Sequence, residues 1–169
     1  MNALVVTVAA EAESGWPTVT GTTTAQEFVL DLAREIVGEV APAELPGFAV
    51  LGEGFLRDPG RVLNSRVRSG ATLGSGIDTQ ILVVTPIALA AATVVYEHLL
   101  GEAAGYALRR VARAVKGLRR AKPVPGEITD EARDAAVAGT RALVREQTGD
   151  AALADKCAQV VHLLLDRRR

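Results

Sequence analysis

Cysteine, lysine and aromatic residues are all scarce in this chain of 169 residues. The one cysteine, Cys157, cannot form an internal disulfide, which fits a reducing compartment. Aromatic residues make up 4% of the chain and hydrophobic residues 49%, so the core has to be built from Ala, Val and Leu. Only three of the 19 basic residues are lysines, and this arginine bias, with many Ala and Gly residues, is typical of a GC-rich bacterial genome. The net charge of -1 provides no overall attraction to nucleic acid or anionic lipid.

Motifs of the common enzyme and metal-binding classes are missing as well. The chain has no G-x-S-x-G, H-E-x-x-H or D-x-D-x-D-G pattern. His98 with Glu102, and His162 with Asp166, are pairs four residues apart, which is a weak indication of a metal site and is more typical of histidines near a helix end. Cys157 lies five residues before His162 on another helix face, so the two do not form a dyad. We therefore predict no catalytic residue, no metal and no cofactor.

A glycine-rich segment lies in the middle of the chain, and its residues of interest are Gly70, Gly74, Gly76 and Asp78. It lacks the lysine of a P-loop and the strand-to-helix setting of a dinucleotide fingerprint. A turn or hinge is the favoured interpretation, because glycine adopts conformations that other residues avoid. The alternative is a small enzyme with its site near 70–78, which would use Asp78, Glu97 or His98.

The longest apolar run in the chain extends from Ile81 to Tyr96. As one helix it would be about 24 Å long at about 1.5 Å per residue, which is shorter than the roughly 30 Å of a bilayer core. As two elements it is a strand at 80–84 followed by a buried helix that begins at Thr85 and Pro86, since Thr is a good N-cap and Pro is favoured at the first helical position. We favour the two elements and keep a membrane-inserted segment as the alternative.

Runs of β-branched and apolar residues predict a small sheet in the first half of the chain. Strands are predicted at 3–8, 48–51, 61–67 and 80–84, with 18–24 as a further strand or an ordered loop. The expected architecture is therefore a single α+β or α/β domain, 1–169. Residues 1–84 form a small mixed β-sheet packed by one amphipathic helix, and 85–169 form a helical C-terminal half.

Helix signals are clearest at three places. A capping box, Thr24-Ala-Gln-Glu27, begins a helix with one apolar stripe that ends before Pro42. Thr129 and Asp150 are the predicted N-caps of the last two helices. The apolar faces of these last helices are narrow and rich in Ala, which suits close packing between copies. We therefore expect a homo-oligomer.

The segment 106–120 predicts an amphipathic helix with a basic face, formed by Arg109, Arg110, Arg113, Lys116, Arg119 and Arg120. A solvated helix lying over the core accounts for this pattern. Contact with an anionic membrane surface is the main functional alternative, because Arg-rich amphipathic helices bind such surfaces. Nucleic-acid binding is disfavoured, because Tyr106 is the only aromatic residue there that could stack on a base.

The function expected from these features is a non-enzymatic interaction or effector module. Its segment 81–120 would contact a protein partner, a second copy of the chain or an anionic membrane surface. The alternatives are the small enzyme at 70–78 and a nucleic-acid binder that uses 106–120. No basic n-region precedes the first apolar residues, so a secretory signal is not expected. The expected location is the cytoplasm, either free or peripheral at the inner face of the membrane.

Overall fold

The computed structural model describes residues 24–65, 83–101, 108–118 and 127–168, and within these ranges the chain is built from helices. They are α1 (Ala25–Val40), a short 3-10 helix (Pro42–Glu44), α2 (Leu45–Arg57), α3 (Pro59–Ser65), α4 (Val84–Leu99), α5 (Leu108–Gly117), α6 (Asp130–Thr148) and α7 (Ala151–Asp166). No strand occurs in the described ranges. The predicted small mixed β-sheet is therefore wrong there, and so is the α+β or α/β class.

Every described residue assigned to a strand by its sequence pattern belongs to a helix or its cap. Residues 48–51 lie inside α2, and 61–65 lie inside α3. Val83 and Val84 are the N-cap and the first residue of α4. The predicted strand at 3–8, residues 18–23, and positions 66, 67 and 80–82 lie outside the described residues.

The burial pattern explains why α2 and α3 are helices. In α2 the buried residues Phe48, Gly52 and Phe55 are four and three residues apart, which is a helical spacing. Gly52 suggests a turn in the sequence, but it lies in the packing between α1 and α2, where an added Cβ would be 3.1 Å from the Leu30 side chain. In α3 the consecutive residues 62 and 63 are both buried, whereas a strand would point them to opposite faces.

The N-termini of α1, α6 and α7 agree with the sequence prediction. The Thr24 hydroxyl accepts the N–H of Glu27 at 3.2 Å, and the Glu27 carboxylate accepts the N–H of Thr24 at 2.9 Å. This confirms the capping box. Thr129 and Asp150 cap α6 and α7 through their side-chain oxygens, as predicted. These starts could be predicted because each cap lies within a few residues of the N–H it satisfies.

Four of the helices form an antiparallel bundle. Helix α4 packs against α1 and α6, and α7 packs against α6 and α1. The ring of Phe28, early in α1, lies 6.2 Å from the ring of Tyr96, late in α4, so these two helices run in opposite directions. Helices α6 and α7 are also antiparallel, because two ion pairs join them in reverse order: Arg133 with Asp166, and Arg141 with Asp155.

Helix α4 is the central element of the fold. Every residue from Thr85 to Tyr96 is buried. Helices α1 and α6 cover two sides of α4, and α2, α3 and α5 also pack against it. A helix that is apolar on all its faces is expected to be enclosed in this way. From Val84 onward the apolar run is therefore a core helix, and Val83 and Val84, which were predicted to end a strand, are its N-cap and first residue.

The start of α4 also differs from the prediction. The helix begins at Val84, and Thr85 is not its N-cap. The capping group is Glu44, 40 residues before Val84, whose Oε1 accepts the N–H groups of Val83 and Val84 at 3.0 and 2.9 Å. Its Oε2 accepts the N–H and the hydroxyl of Thr85 at 2.7 and 2.8 Å. A carboxylate is favoured there, because the first N–H groups of a helix have no partner inside the helix.

Candidate interaction surface

Helix α5 lies on the outside of α3 and α4 with its apolar side turned inward. Val111 and Val115 are 0% and 1% exposed, and Leu118 just beyond the helix is also buried. These residues are spaced by four and three positions, so they form one stripe along the helix. The apolar side of α5 is therefore part of the protein core in the folded molecule.

The opposite side of α5 has positively charged side chains that are exposed to solvent. Arg113 and Lys116 are exposed, and neither forms an ion pair with a residue in the described ranges. The backbone places Arg109 and Arg110 in the first turn of α5, although their side chains lie outside the described part. Arg119 and Arg120 follow the helix and lie outside the described residues. Of the six predicted contact residues, Arg113 and Lys116 are thus the two whose exposure is established.

The sequence around α5 separates positive from negative charge. Residues 103–126, which we call the basic segment, hold seven of the 19 basic residues and none of the 20 acidic ones. The basic segment therefore carries +7, and the rest of the chain, with 12 basic and 20 acidic residues, carries -8. The net charge of -1 conceals this separation.

From Thr85 to Tyr96 the apolar run is buried while the bundle is folded. None of the helices in the described ranges is long and apolar enough to cross a membrane. The large apolar side chains exposed in those ranges are Val50, Val83 and Leu163, which lie on different elements of the fold. A contact through 85–96 would require the core to open, so the basic face of α5 is the better candidate.

The described members of the two histidine pairs, His98, His162 and Asp166, do not come together in a metal site. The ring of His98 packs against Gly139 of α6, and Glu102 lies outside the described residues. His162 is exposed, whereas the carboxylate of Asp166 is paired with Arg133 at 3.3 Å. Within the described ranges no group of three or more metal-ligating residues comes together.

The glycine-rich segment, with Gly70, Gly74, Gly76 and Asp78, lies outside the described residues. The alternative of an enzyme site at 70–78 stays a prediction for that reason. The other two residues considered for it, Glu97 and His98, lie in the last turn of α4 and are partly buried.

Cys157 lies in the interior on the inner side of α7. Burial raises the pKa of its thiol to about 11, and the neighbouring charge of Lys156 lowers it only in part. The thiolate is the reactive form of cysteine, so this side chain is suited to packing rather than to chemistry.

Two residues that organise the fold, Glu44 and Gly139, are not indicated by any sequence motif. Glu44 follows Pro42 in an unremarkable polar turn, and Gly139 lies in the middle of a helix where glycine is unfavourable. The isolated glycine inside the helical pattern of α6 is the local signal that could have indicated close packing at residue 139. Comparison of the chain with protein-family models, with curated proteins and with solved structures gave no significant match in any of the three, so a function has to be argued from the residues themselves.

Proposed function

We propose that the protein is a non-enzymatic interaction module whose basic segment, residues 103–126, binds an acidic surface on a partner protein. The observation that supports this is the orientation of α5. Its apolar residues are in the core, and Arg113 and Lys116 point into solvent without an ion-pair partner among the described residues. Arginine suits such a contact, because its planar guanidinium pairs with carboxylates through two hydrogen bonds.

The burial of the apolar side favours a protein partner over a membrane. Amphipathic helices that lie on membranes place their apolar side among the acyl chains. In α5 that side is formed by Val111, Val115 and the following Leu118, all of which are buried against the protein. Insertion would have to remove these residues from the core first, whereas an acidic protein surface can bind the outer face of α5 as it stands.

The extent of the positive charge also favours a compact partner. Helix α5 has ten residues and is about 15 Å long. The rest of the chain carries -8, so a long polyanion such as duplex DNA would also meet acidic parts of the molecule. An acidic patch of similar length on a partner protein would contact α5 without that repulsion.

The test compares two variants of equal charge. Arg113→Glu with Lys116→Glu reverses the basic face, and Arg57→Glu with Arg145→Glu reverses two other exposed cations on α2 and α6. Each pair changes the net charge from -1 to -5. With a short poly-glutamate peptide as the probe, we expect binding by the wild type that weakens as salt rises. The α5 variant should lose about 2 kcal/mol, roughly thirtyfold in affinity, and the control much less.

Phosphatidylserine vesicles and duplex DNA are the competing probes in the same assay. Binding to vesicles or DNA without binding to the peptide would reject the choice of a protein partner. Equal losses in the two variants, or no binding to any probe at low salt, would reject the basic segment as the contact surface. Sedimentation experiments measure self-association of the wild type and of the α5 variant. If the wild type self-associates and the charge-reversed α5 variant does not, the partner is a second copy of the chain.

A further inference from the structure

The last turn of α4 meets the middle of α6 with no space between them. At Gly139 an added Cβ would lie 2.7 Å from His98 Nε2 and 3.1 Å from His98 Cδ2. It would also lie 3.1 Å from Val94 Cγ1, one turn earlier in α4. The imidazole ring therefore rests directly on the backbone of α6, in a position that only glycine permits.

The Nε2 atom of His98 is buried there without a hydrogen-bond partner. Residues one turn from Gly139 on α6 are Ala135, Ala136, Ala142 and Leu143, which have no polar side-chain atoms, and the buried hydroxyl of the adjoining Thr140 makes no hydrogen bond to Nε2. A neutral imidazole can keep its single proton on Nδ1 and leave Nε2 without one. The imidazolium ion must carry a proton on both nitrogens, so protonation would place an unpaired N–H and a positive charge against α6.

The charged groups nearby do not provide the missing partner. Within four residues of Gly139 on α6 the only charged residue is Arg141, whose guanidinium pairs with Asp155 of α7 at 2.8 Å. On α4 the adjacent acid is Glu97. On α1 the acid in the first turn is Glu27, which is engaged in its capping box with Thr24. Glu102, and the side chains of Arg109 and Arg110 in α5, lie outside the described part.

We propose that His98 makes the contact between α4 and α6 sensitive to acid, so that its protonation loosens α6 from the central helix. In agreement with this geometry, burial lowers the pKa of His98 below its ordinary value of 6.5. The folded state thus takes up the proton less readily than the unfolded chain. As far as His98 is concerned, the free energy of unfolding is highest above pH 6.5 and decreases as the pH falls below 6.5. It becomes constant below the lowered pKa of the folded state.

The experiment measures urea unfolding of the full chain between about pH 5 and 8, the range in which histidines titrate. The variants are His98→Gln, which removes the titrating group, and His162→Gln, which removes an exposed histidine as a control. The unfolding constant of the wild type should rise by up to tenfold per pH unit below pH 6.5 relative to that of His98→Gln. The control should follow the wild type. Amide protection factors, which correct for the slower intrinsic exchange at low pH, should fall in α4 and α6 over the same range.

Parallel pH profiles for the wild type and His98→Gln would overturn the proposal. An NMR titration of the imidazole Cε1 proton provides a second measurement that does not depend on the folding of the variant. A midpoint for His98 at or above 6.5 in the wild type would overturn the proposal equally, because the folded state would then accept the proton as readily as the unfolded chain.

Discussion

Glu44 and Thr85 are joined by two hydrogen bonds in the interior of the protein. The Oε2 atom of Glu44 accepts the backbone N–H of Thr85 at 2.7 Å and its hydroxyl at 2.8 Å. These bonds fix the turn after α1 to the start of α4. They also satisfy donors that would otherwise be buried without a partner, since Thr85 is 0% exposed.

Glu44→Ala should destabilise the protein by about 3 kcal/mol in urea unfolding, because it leaves the buried N–H and hydroxyl of Thr85 and two partly buried N–H groups without an acceptor. Glu44→Gln should be intermediate, since its amide has one acceptor oxygen and presents an NH₂ group to the remaining donors. Glu53→Ala is the control, because Glu53 is exposed on α2 and should change stability by less than about 0.5 kcal/mol. A loss below about 1 kcal/mol for Glu44→Ala would show that the cap is not needed.

Gly139→Ala should destabilise the protein by about 1–3 kcal/mol, although alanine is the better helix former. The added Cβ would be 2.7 Å from His98 Nε2 and 3.1 Å from Val94 Cγ1, so the ring has to shift in the packed contact between α4 and α6. Gly38→Ala is the matched control in α1, where the added Cβ has its nearest neighbour at 4.0 Å. There we expect a gain of up to about 1 kcal/mol from helix propensity. Gains of similar size at both positions would contradict the tight contact at Gly139.

The ion pair between Arg168 and Glu35 should be stronger than the pair between Arg141 and Asp155, although both are 2.8 Å long. The side chains of the first pair are 22% and 18% exposed, and those of the second are 50% and 68% exposed. Arg168 also lies 5.1 Å from the centre of the Phe28 ring. Double-mutant cycles should give a coupling of about 1 kcal/mol for the first pair and less than about 0.5 kcal/mol for the second. Equal couplings would show that burial is not the deciding factor.

The Cys157 thiol should react with a disulfide reagent only after unfolding. With a pKa of about 11, roughly one thiol in a thousand is ionised at pH 8, and the side chain is buried. The protein in guanidinium chloride is the control and should react rapidly. Folding raises the pKa of the thiol from 9.0, so the contribution of Cys157 to the free energy of unfolding is fully present below pH 9. That contribution should be lost as the pH rises toward 11. Fast labelling of the native protein at pH 8 would contradict this account of the thiol.

The sequence by itself determined the features whose partners lie within a turn of helix. The capping box of Thr24 and Glu27, and the caps at Thr129 and Asp150, could be predicted because each N-cap side chain accepts the N–H three residues later. The charge separation around α5 is also a property of the sequence alone.

The tertiary structure decided which secondary structure the apolar segments adopt. The segments at 48–51 and 61–67 are too short for their periodicity to separate strand from helix, and Gly52 suggests a turn. Helix is preferred because α2 can then bury Phe48 and Phe55 on one side while Gly52 allows α1 to approach. Likewise, the start of α4 depends on Glu44, and no local pattern connects residues 40 positions apart.

The same distinction applies to the candidate surface and to the acid-sensitive contact. The sequence indicates a basic helix at 106–120, and the fold decides which side of it remains free, because α3 and α4 take up the apolar stripe of Val111 and Val115. The contact of His98 with Gly139 joins two helices 41 residues apart in the chain. It exists only because the bundle brings those helices together, and this packing, rather than any local pattern, removes the space in which the Nε2 atom of a charged imidazole would be hydrated.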